Sequence, residues 1–252
     1  MVLLHGLGSY RGAWAAVLPA LATRFDVIAV DLPGFGESPP LPAGTEPTPA
    51  ALAGAVGALL DELGIDRPHL AGNSLGGWVA LELAGLRPVA SVALLSPAGL
   101  WRGDSPLYNR ASLRAIRWLC RHLERPLRPL MRVPAGRIVA LAQIYGRPAR
   151  LTPQQARDAI ANMARCPGFP ATERAMAHRH YRSAAPLDAP VTVAFGSRDH
   201  LLLRRSRYVD QLPPGAEVRP LPGCGHLPMI DDPAAVVALL ARAAARPAST
   251  ME

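Results

Sequence analysis

The chain has 252 residues and half of them are hydrophobic, which suits one α/β domain with an insertion and a substantial buried core. Its three cysteines, Cys120, Cys166 and Cys224, are widely spaced, which argues against a disulfide framework or a zinc site and favours a reducing, cytoplasmic compartment. The formal net charge is +8, no apolar run approaches the ~20 residues that span a bilayer, and residues 1–6 do not have the pattern of a signal peptide.

Short apolar segments alternate with helix-like segments along the chain. The predicted strands are residues 2–4, 26–30, 68–71, 91–95, 191–195 and, more weakly, 216–221. The predicted helices are residues 13–22, a helix capped near Thr48 and stopped by Gly64, residues 78–84, and a last helix that Asp232 and Pro233 open. This alternation predicts an α/β fold with a mostly parallel sheet and helices on both faces. Residues 101–186 lack a convincing strand and are predicted to be a helical insertion into a core of residues 1–100 and 187–252.

A glycine-rich turn after the third predicted strand carries the clearest chemical signal. Residues 72–76 read Gly-Asn-Ser-Leu-Gly, a G-x-S-x-G pattern between an apolar run and a helix-like run. Such a turn strains the serine backbone, so the residues two before and two after it, Gly72 and Gly76, must be small. The turn exposes the Ser74 hydroxyl at a helix N-terminus, where the dipole favours negative charge, and Ser74 is the predicted nucleophile.

An aspartate and a histidine follow the two last predicted strands. Asp199 lies just after residues 191–195, and His226 lies just after residues 216–221. Because functional groups gather at the carboxyl ends of parallel strands, we expect both side chains beside Ser74. Histidine can accept the serine proton near neutral pH, and a buried carboxylate fixes the histidine tautomer. The chain order serine, aspartate, histidine differs from the two protease orders.

An attacking serine also requires hydrogen-bond donors for the oxyanion that forms. Backbone N–H groups serve this purpose because they are fixed in position and cannot lose a charge. We expect one donor from Leu75, directly after the nucleophile, and one from Leu7, in the loop after the first strand. His5, in the same loop, is expected to brace that loop by hydrogen bonds.

Five segments of the chain together resemble the α/β-hydrolase fold family. They are residues 5–8, 31–38, 72–77, 196–199 and 225–226. The resemblance covers nearly the whole chain outside residues 101–186, which are similar to the helical cap over the pocket in that family. It implies a nucleophile at Ser74, a base at His226, an acid at Asp199 and oxyanion donors at Leu7 and Leu75, without a metal or another cofactor.

The serine nucleophile predicts hydrolysis of a carboxylic ester, or a similar acyl compound, through an acyl-enzyme. Relatives that dehalogenate or open epoxides use aspartate at this position. Two alternatives stay open. Serine relatives that cleave carbon–carbon bonds of ring-fission products often share the Gly-Asn-Ser sequence, but they usually have tryptophan where this chain has Leu227. Other members of the fold bind ligands and catalyse little. The acyl group is expected between sheet and cap, lined by Trp78, Trp101 and Phe35.

The beginning of the chain departs from the family pattern. Family members usually have two further strands before the strand predicted at residues 2–4, whereas Met1 lies almost on that strand. We therefore expect either a shortened start or a sheet without its early edge, and an uncovered sheet edge invites pairing with other chains.

The predicted cap is strongly basic. Residues 101–186 contain 16 arginines and 4 acidic residues (+12), and the remainder contains 11 and 15 (−4). The arginines of residues 110–132 recur mostly every three or four positions, with apolar residues on another face and interruptions at Pro126 and Pro129. This pattern indicates either a solvated cap face or a surface for anionic lipid or an anionic acyl donor. Nucleic acid binding is not predicted, because no recognition motif or stacking aromatic set accompanies the charge.

The remaining polar residues have simpler interpretations. Asp231 and Asp232 are expected to cap the last helix. His178 and His180 do not make a metal site by themselves, and Cys224 is interpreted as a residue that fills its loop.

Overall fold

Six parallel strands form one sheet in the computed structural model, which describes residues 1–183 and 186–247. The strands are β1 (Val2–Leu4), β2 (Ile28–Val30), β3 (His69–Asn73), β4 (Ser91–Leu95), β5 (Val191–Gly196) and β6 (Glu217–Leu221). Their order across the sheet is β2-β1-β3-β4-β5-β6, and every neighbouring pair is parallel. All carboxyl ends therefore lie at one edge, where the loops that follow β1, β3, β5 and β6 meet.

Nine α-helices accompany the strands within the described residues. They are α1 (Leu18–Leu21), α2 (Pro49–Glu62), α3 (Leu75–Leu86), α4 (Leu107–Leu130), α5 (Pro134–Leu141), α6 (Pro153–Arg165), α7 (Phe169–Ala177), α8 (Pro228–Asp231) and α9 (Pro233–Ala244). Helices α4 to α7 all lie between β4 and β5 in sequence, and we call them the inserted helices.

The two faces of the sheet are covered by different helices. Leu4 and Leu70 pack into a buried cluster with residues of α2 and α3, whereas Leu3 and Ala71 pack into a second cluster with residues of α9. Adjacent strand residues thus enter opposite cores, as the period of two in a strand requires. A third cluster, which includes Cys120, lies among the inserted helices, so that segment has an apolar core of its own.

The structure confirms most of the predicted elements and corrects the bounds of two of them. Thr48 caps α2 by accepting the N–H of Ala51, and Gly64 after that helix has a φ of +66°. The predicted strand over residues 26–30 begins only at Ile28. The predicted helix over residues 13–22 is instead a 3₁₀ turn and the four-residue α1, because Pro19 has no N–H to continue a longer helix.

Helix α4 is longer than the sequence predicts. It runs for 24 residues through Pro126 and Pro129, where an interruption was expected. Both prolines lie near the C-terminal end, and Leu127 between them packs against the third cluster. Packing therefore maintains the last turns although two N–H donors are missing. Within residues 1–183 and 186–247 no helix combines the length and apolar character needed to cross a bilayer.

The close backbone approach in the turn between β3 and α3 predicts that only glycine is tolerated at position 72. A Cβ atom on Gly72 would overlap the carbonyl oxygen of Gly76, whereas a Cβ on Gly54, in α2, would meet nothing within 4 Å. We expect Gly72→Ala to lower the free energy of unfolding by more than about 2 kcal/mol, because the backbone at Gly76 would have to move to make room for the new Cβ atom. Gly54→Ala is the matched control and should raise it by up to about 1 kcal/mol through helix propensity. Urea unfolding of both variants measures the difference, and equal effects would contradict the close approach.

Candidate active site

Ser74 occupies a strained backbone position at the start of α3. Its φ is +54°, a value that is rare for residues other than glycine. The glycines around it permit this turn, since a Cβ on Gly76 would overlap the carbonyl oxygen of Leu4 in the neighbouring strand. Gly6 lies against the serine itself, because a Cβ there would be 3.1 Å from Ser74 Cβ. The turn therefore fixes Ser74 between the loop after β1 and the N-terminus of α3.

His226 and Asp199 are hydrogen bonded to each other in the loops after β6 and β5. His226 Nδ1 lies 3.0 Å from Asp199 Oδ2, and both side chains are buried. The second carboxylate oxygen, Oδ1, accepts the N–H groups of Leu201 and Leu202, each at 3.0 Å. Because the carboxylate accepts, Nδ1 carries the proton and donates it, which leaves the Nε2 lone pair free to act as a base.

The surroundings of Asp199 keep its carboxyl group ionised. Burial by itself would raise the pKa of Asp199. The adjacent His226 and the N–H of Leu202 outweigh burial, and with Arg207 they lower the pKa to about 2. Sequence reasoning missed Arg207, which donates to the Asp199 carbonyl oxygen at 3.1 Å and stacks over Phe195.

A hydrogen bond from the residue beside the serine holds the histidine loop. Asn73 Nδ2 donates to the carbonyl oxygen of His226 at 2.8 Å and to that of Leu95 at 2.9 Å. Ser74 and His226 both line a cavity of about 310 Å³. Among the described residues the Ser74 hydroxyl has no hydrogen-bond partner, so Oγ can rotate toward His226 or toward a ligand in this cavity.

The two expected oxyanion donors lie in the two segments that enclose Ser74, the loop after β1 and the start of α3. Leu75 is the first residue of α3, and Leu7 follows Gly6, which closely approaches Ser74. Within the described residues neither backbone N–H donates to a protein acceptor. Both donors are therefore available to a ligand, and the N-terminus of α3 adds the favourable end of its dipole.

His5 braces the loop of Leu7, as its position predicts. Its Nδ1 donates to the carbonyl oxygen of Gly6 at 2.8 Å, and its Nε2 accepts the N–H of Leu32 at 3.0 Å. The ring is fully buried, and burial lowers the pKa of His5 to about 4. A neutral His5 therefore connects the loop after β1 to the loop after β2.

Asp231 does not cap the last helix, contrary to expectation. Asp232 alone does so, by accepting the N–H of Ala235 at 3.1 Å. The Asp231 carboxylate instead accepts the N–H groups of Gly225 at 2.7 Å and of Gly146 and Arg147 at 2.8 Å. It thereby ties the histidine loop to the segment between α5 and α6. Only the folded chain brings these N–H groups together, so the sequence held no signal for them.

The cavity walls correct part of the predicted lining. Trp101 lines the cavity, but Trp78 and Phe35 do not. Trp78 packs edge-on behind Trp101, with ring centroids 5.5 Å apart, and Phe35 packs in the same manner on His5. The inserted helices supply much of the apolar wall, including Leu113, Ile116, Cys120, Met163 and Met176.

A buried glutamate that sequence reasoning missed, together with its arginine partners, adds polar atoms to this wall. Glu173 of α7 lies 2.8 Å from Arg114 and 3.7 Å from Arg110, and both Glu173 and Arg110 line the cavity.

The other residues that the sequence singled out do not form a second site. His178 pairs with Asp104 at 2.9 Å on the exposed surface, and His180 is also exposed. In the described part of the chain, no group of three or more histidine, cysteine, aspartate or glutamate side chains could hold a metal ion. Burial raises the pKa of both Cys120 and Cys224 to about 11, so these thiols stay protonated at neutral pH.

A family model described as the alpha/beta hydrolase family matches residues 1–239 of the chain. By sequence, the chain is 33% identical over 237 residues to the dihydrolipoyllysine-residue acetyltransferase component of the acetoin cleaving system of Pseudomonas putida. The match covers 90% of this chain and 58% of that relative, so the chain spans less than two thirds of the relative's length.

Solved structures share the fold. An esterase from Thermogutta terrifontis matches with a TM-score of 0.72 and 24% identity, covering 96% of this chain and 87% of that one. A meta-cleavage product hydrolase from Pseudomonas fluorescens matches with a TM-score of 0.70 and 22% identity, covering 96% and 90%. At these identities the likeness establishes architecture and leaves the reaction to be argued from the site.

The buried neutral His5 should make stability depend on pH. The pKa of His5 is about 4 in the folded protein against a usual 6.5, so the unfolded chain binds the extra proton first. The free energy of unfolding therefore has its full value above pH 6.5. It falls by about 3 kcal/mol as the pH decreases from 6.5 to about 4. The difference in unfolding free energy between the wild type and His5→Gln should therefore shrink over this window in urea titrations. His200→Gln, at an exposed site, is the control, and a constant difference for His5→Gln would contradict the assignment.

Proposed function

This chain belongs to the alpha/beta hydrolase family, and we propose that it hydrolyses carboxylic esters through an acyl-enzyme formed on Ser74. The observation that carries the proposal is the buried hydrogen bond between His226 Nδ1 and Asp199 Oδ2 beside the cavity that Ser74 also lines. This arrangement supplies a nucleophile, a base of fixed tautomer and a carboxylate that stays ionised.

The first half of the reaction forms the acyl-enzyme. His226 Nε2 takes the Ser74 proton as Oγ attacks the ester carbonyl carbon, and Asp199 stabilises the imidazolium that results. The carbonyl oxygen becomes an oxyanion and accepts the N–H groups of Leu7 and Leu75. When the tetrahedral intermediate collapses, His226 gives its proton to the departing alkoxide, and an alcohol leaves.

The second half of the reaction releases the acid. A water molecule replaces the alcohol, and His226 Nε2 takes one of its protons as the water oxygen attacks the acyl carbon. The same two N–H groups stabilise the second oxyanion. Collapse breaks the bond to Ser74 Oγ, which regains its proton from His226, and the carboxylic acid is released.

The cavity supports a small acyl substrate of apolar character. Its volume is about 310 Å³, and its walls include Trp101, Leu113 and Met176. Such walls favour a hydrocarbon acyl group through burial of apolar surface. No cofactor takes part in the proposed steps, since each proton and bond is accounted for by the three side chains, the two N–H groups and water.

The cytoplasm is the proposed location of the protein. All three cysteines are free, buried thiols in the described residues, which is compatible with a reducing compartment.

Removal of the serine hydroxyl tests the nucleophile. We expect Ser74→Ala to lower kcat/KM for p-nitrophenyl butyrate by at least about 10³, because the acyl-enzyme cannot form. A fluorophosphonate probe should add one covalent label to the wild type and none to Ser74→Ala, as measured by intact mass. Equal rates for both proteins would favour a ligand-binding member of the fold. A higher kcat/KM for a ring-fission dienoate than for any ester in a chain-length panel would favour carbon–carbon bond hydrolysis.

Replacement of Asp199 tests the acid separately. Asp199→Asn should retain the fold but lower kcat by about 10⁴, since the amide can present its N–H to Nδ1 and stabilise the wrong histidine tautomer. Asp188→Asn is the matched control, because Asp188 is exposed and precedes β5 at the opposite edge of the sheet. Thermal unfolding of both variants checks the fold. A near-normal kcat for Asp199→Asn would mean that another carboxylate serves His226.

A further inference from the structure

The outer surface of the inserted helices concentrates exposed apolar side chains. Of the 14 large hydrophobic side chains that are exposed among the described residues, nine lie within residues 107–139, and the other five are scattered over the rest of the chain. Val139 is 88% exposed and Trp118 is 56% exposed. Singly exposed hydrophobic residues are ordinary, but a concentration of this kind marks a contact surface.

Six of these residues form what we call the apolar strip. They are Leu119, Leu123, Leu130, Val133, Ile138 and Val139. The three leucines are four and seven residues apart and so follow one side of α4. Helix α5 continues from there and packs closely on the end of α4, because a Cβ on Gly136 would overlap the carbonyl oxygen of Leu130. The exposed Ile138 and Val139 of α5 therefore belong to the segment that packs on the end of α4.

Arginines lie on the other exposed side of α4, about half a turn around the helix from the leucines of the strip. We call Arg121, Arg125, Arg128 and Arg132 the basic flank. Three of them, Arg121, Arg125 and Arg132, form no ion pair with any described residue, and Arg128 shares Glu124 with Arg165. The net charge of residues 101–186 is +12, while the rest of the chain is −4, so the positive potential is concentrated on this part of the molecule.

Charge complementarity selects the occupant of this surface. A second copy of the chain would place one basic flank against another, which like-charge repulsion opposes. A nucleic acid would pair its phosphates with the arginines but would leave the leucines and valines exposed to water. An anionic bilayer satisfies both, because its phosphates meet the guanidinium groups and its hydrocarbon receives the apolar side chains a few ångströms deeper. Trp118, stacked on His122 at 4.8 Å, has the amphipathic character that favours the headgroup level.

We propose that the outer face of α4 and α5 docks reversibly on anionic phospholipid membranes. The strip enters the interface, and the basic flank pairs with lipid phosphates. The opposite face of α4 carries Leu113, Ile116 and Cys120 into the wall of the cavity, so the docked protein lies with its inserted helices between the bilayer and the sheet.

Vesicle co-sedimentation of the full chain tests this docking. We expect binding to vesicles of phosphatidylcholine with 30–40% phosphatidylglycerol, weaker binding to pure phosphatidylcholine, and release of most of the protein between ~50 mM and ~500 mM salt, where the Debye length falls below 5 Å. Absence of binding to the anionic vesicles at low salt, or equal binding to both vesicle types, would overturn the proposal.

Variants separate the two parts of the surface. Arg121→Gln/Arg125→Gln/Arg132→Gln should lower the partition coefficient for anionic vesicles about hundredfold, from the usual contribution of each arginine near a charged bilayer. Leu119→Gln/Leu123→Gln/Val139→Gln should lower it by at least about tenfold and reduce the blue shift of tryptophan fluorescence on binding.

Matched controls carry the same chemical changes away from the surface. Arg204→Gln/Arg205→Gln and Leu63→Gln/Leu86→Gln alter exposed residues outside the inserted helices and should bind as the wild type does. Circular dichroism confirms the helix content of every variant. Equal losses in the controls would overturn the proposal, as would a dimer in sedimentation velocity that only the strip variant dissociates, since a second copy would then cover the strip.

Discussion

The close approach of three backbone segments around Ser74 is the constraint on which the rest of the site depends. Strand β3 can turn directly into α3 only because Gly72 and Gly76 have no Cβ atoms, which would overlap the carbonyl oxygens of Gly76 and Leu4. The serine then adopts a positive φ that costs roughly 1–3 kcal/mol, and the packing of the surrounding sheet offsets this cost. In return, a hydroxyl, a helix N-terminus and the loop after β1 meet at one point.

The histidine loop is held from both sides of the cavity. On the sheet side, Asn73 donates to the carbonyl oxygen of His226. On the side of the inserted helices, Ile144 accepts the N–H of His226 at 2.7 Å, and Asp231 joins Gly225 to the segment that follows α5. The segment between α5 and α6 therefore positions the proposed base, and a displacement of that segment would reach His226 through these hydrogen bonds.

The inserted helices have two chemically different surfaces. Inward residues such as Leu113 and Met163 are apolar and line the cavity, with Arg110 and the buried Glu173 as charged groups in its wall. The outward surface combines exposed leucines and valines with three arginines that form no ion pair within residues 1–183 and 186–247. Burial of the inner surface explains why the segment folds. The outer surface contributes little to folding and is therefore available for the proposed contact with a membrane.

The sequence by itself determined the parallel sheet, the segment inserted between β4 and β5, and the positions of Ser74, Asp199 and His226 after their strands. Strand and turn patterns are local, so they could be read without the fold. The sequence did not determine the passage of α4 through two prolines, the place of Trp78 behind Trp101, or the roles of Arg207, Asp231 and Glu173. Each of these depends on groups far apart in the chain, such as Gly146 and Asp231, which are 85 positions apart. Only tertiary packing brings such groups together, because burial and long-range hydrogen bonds leave no periodic signal in the sequence.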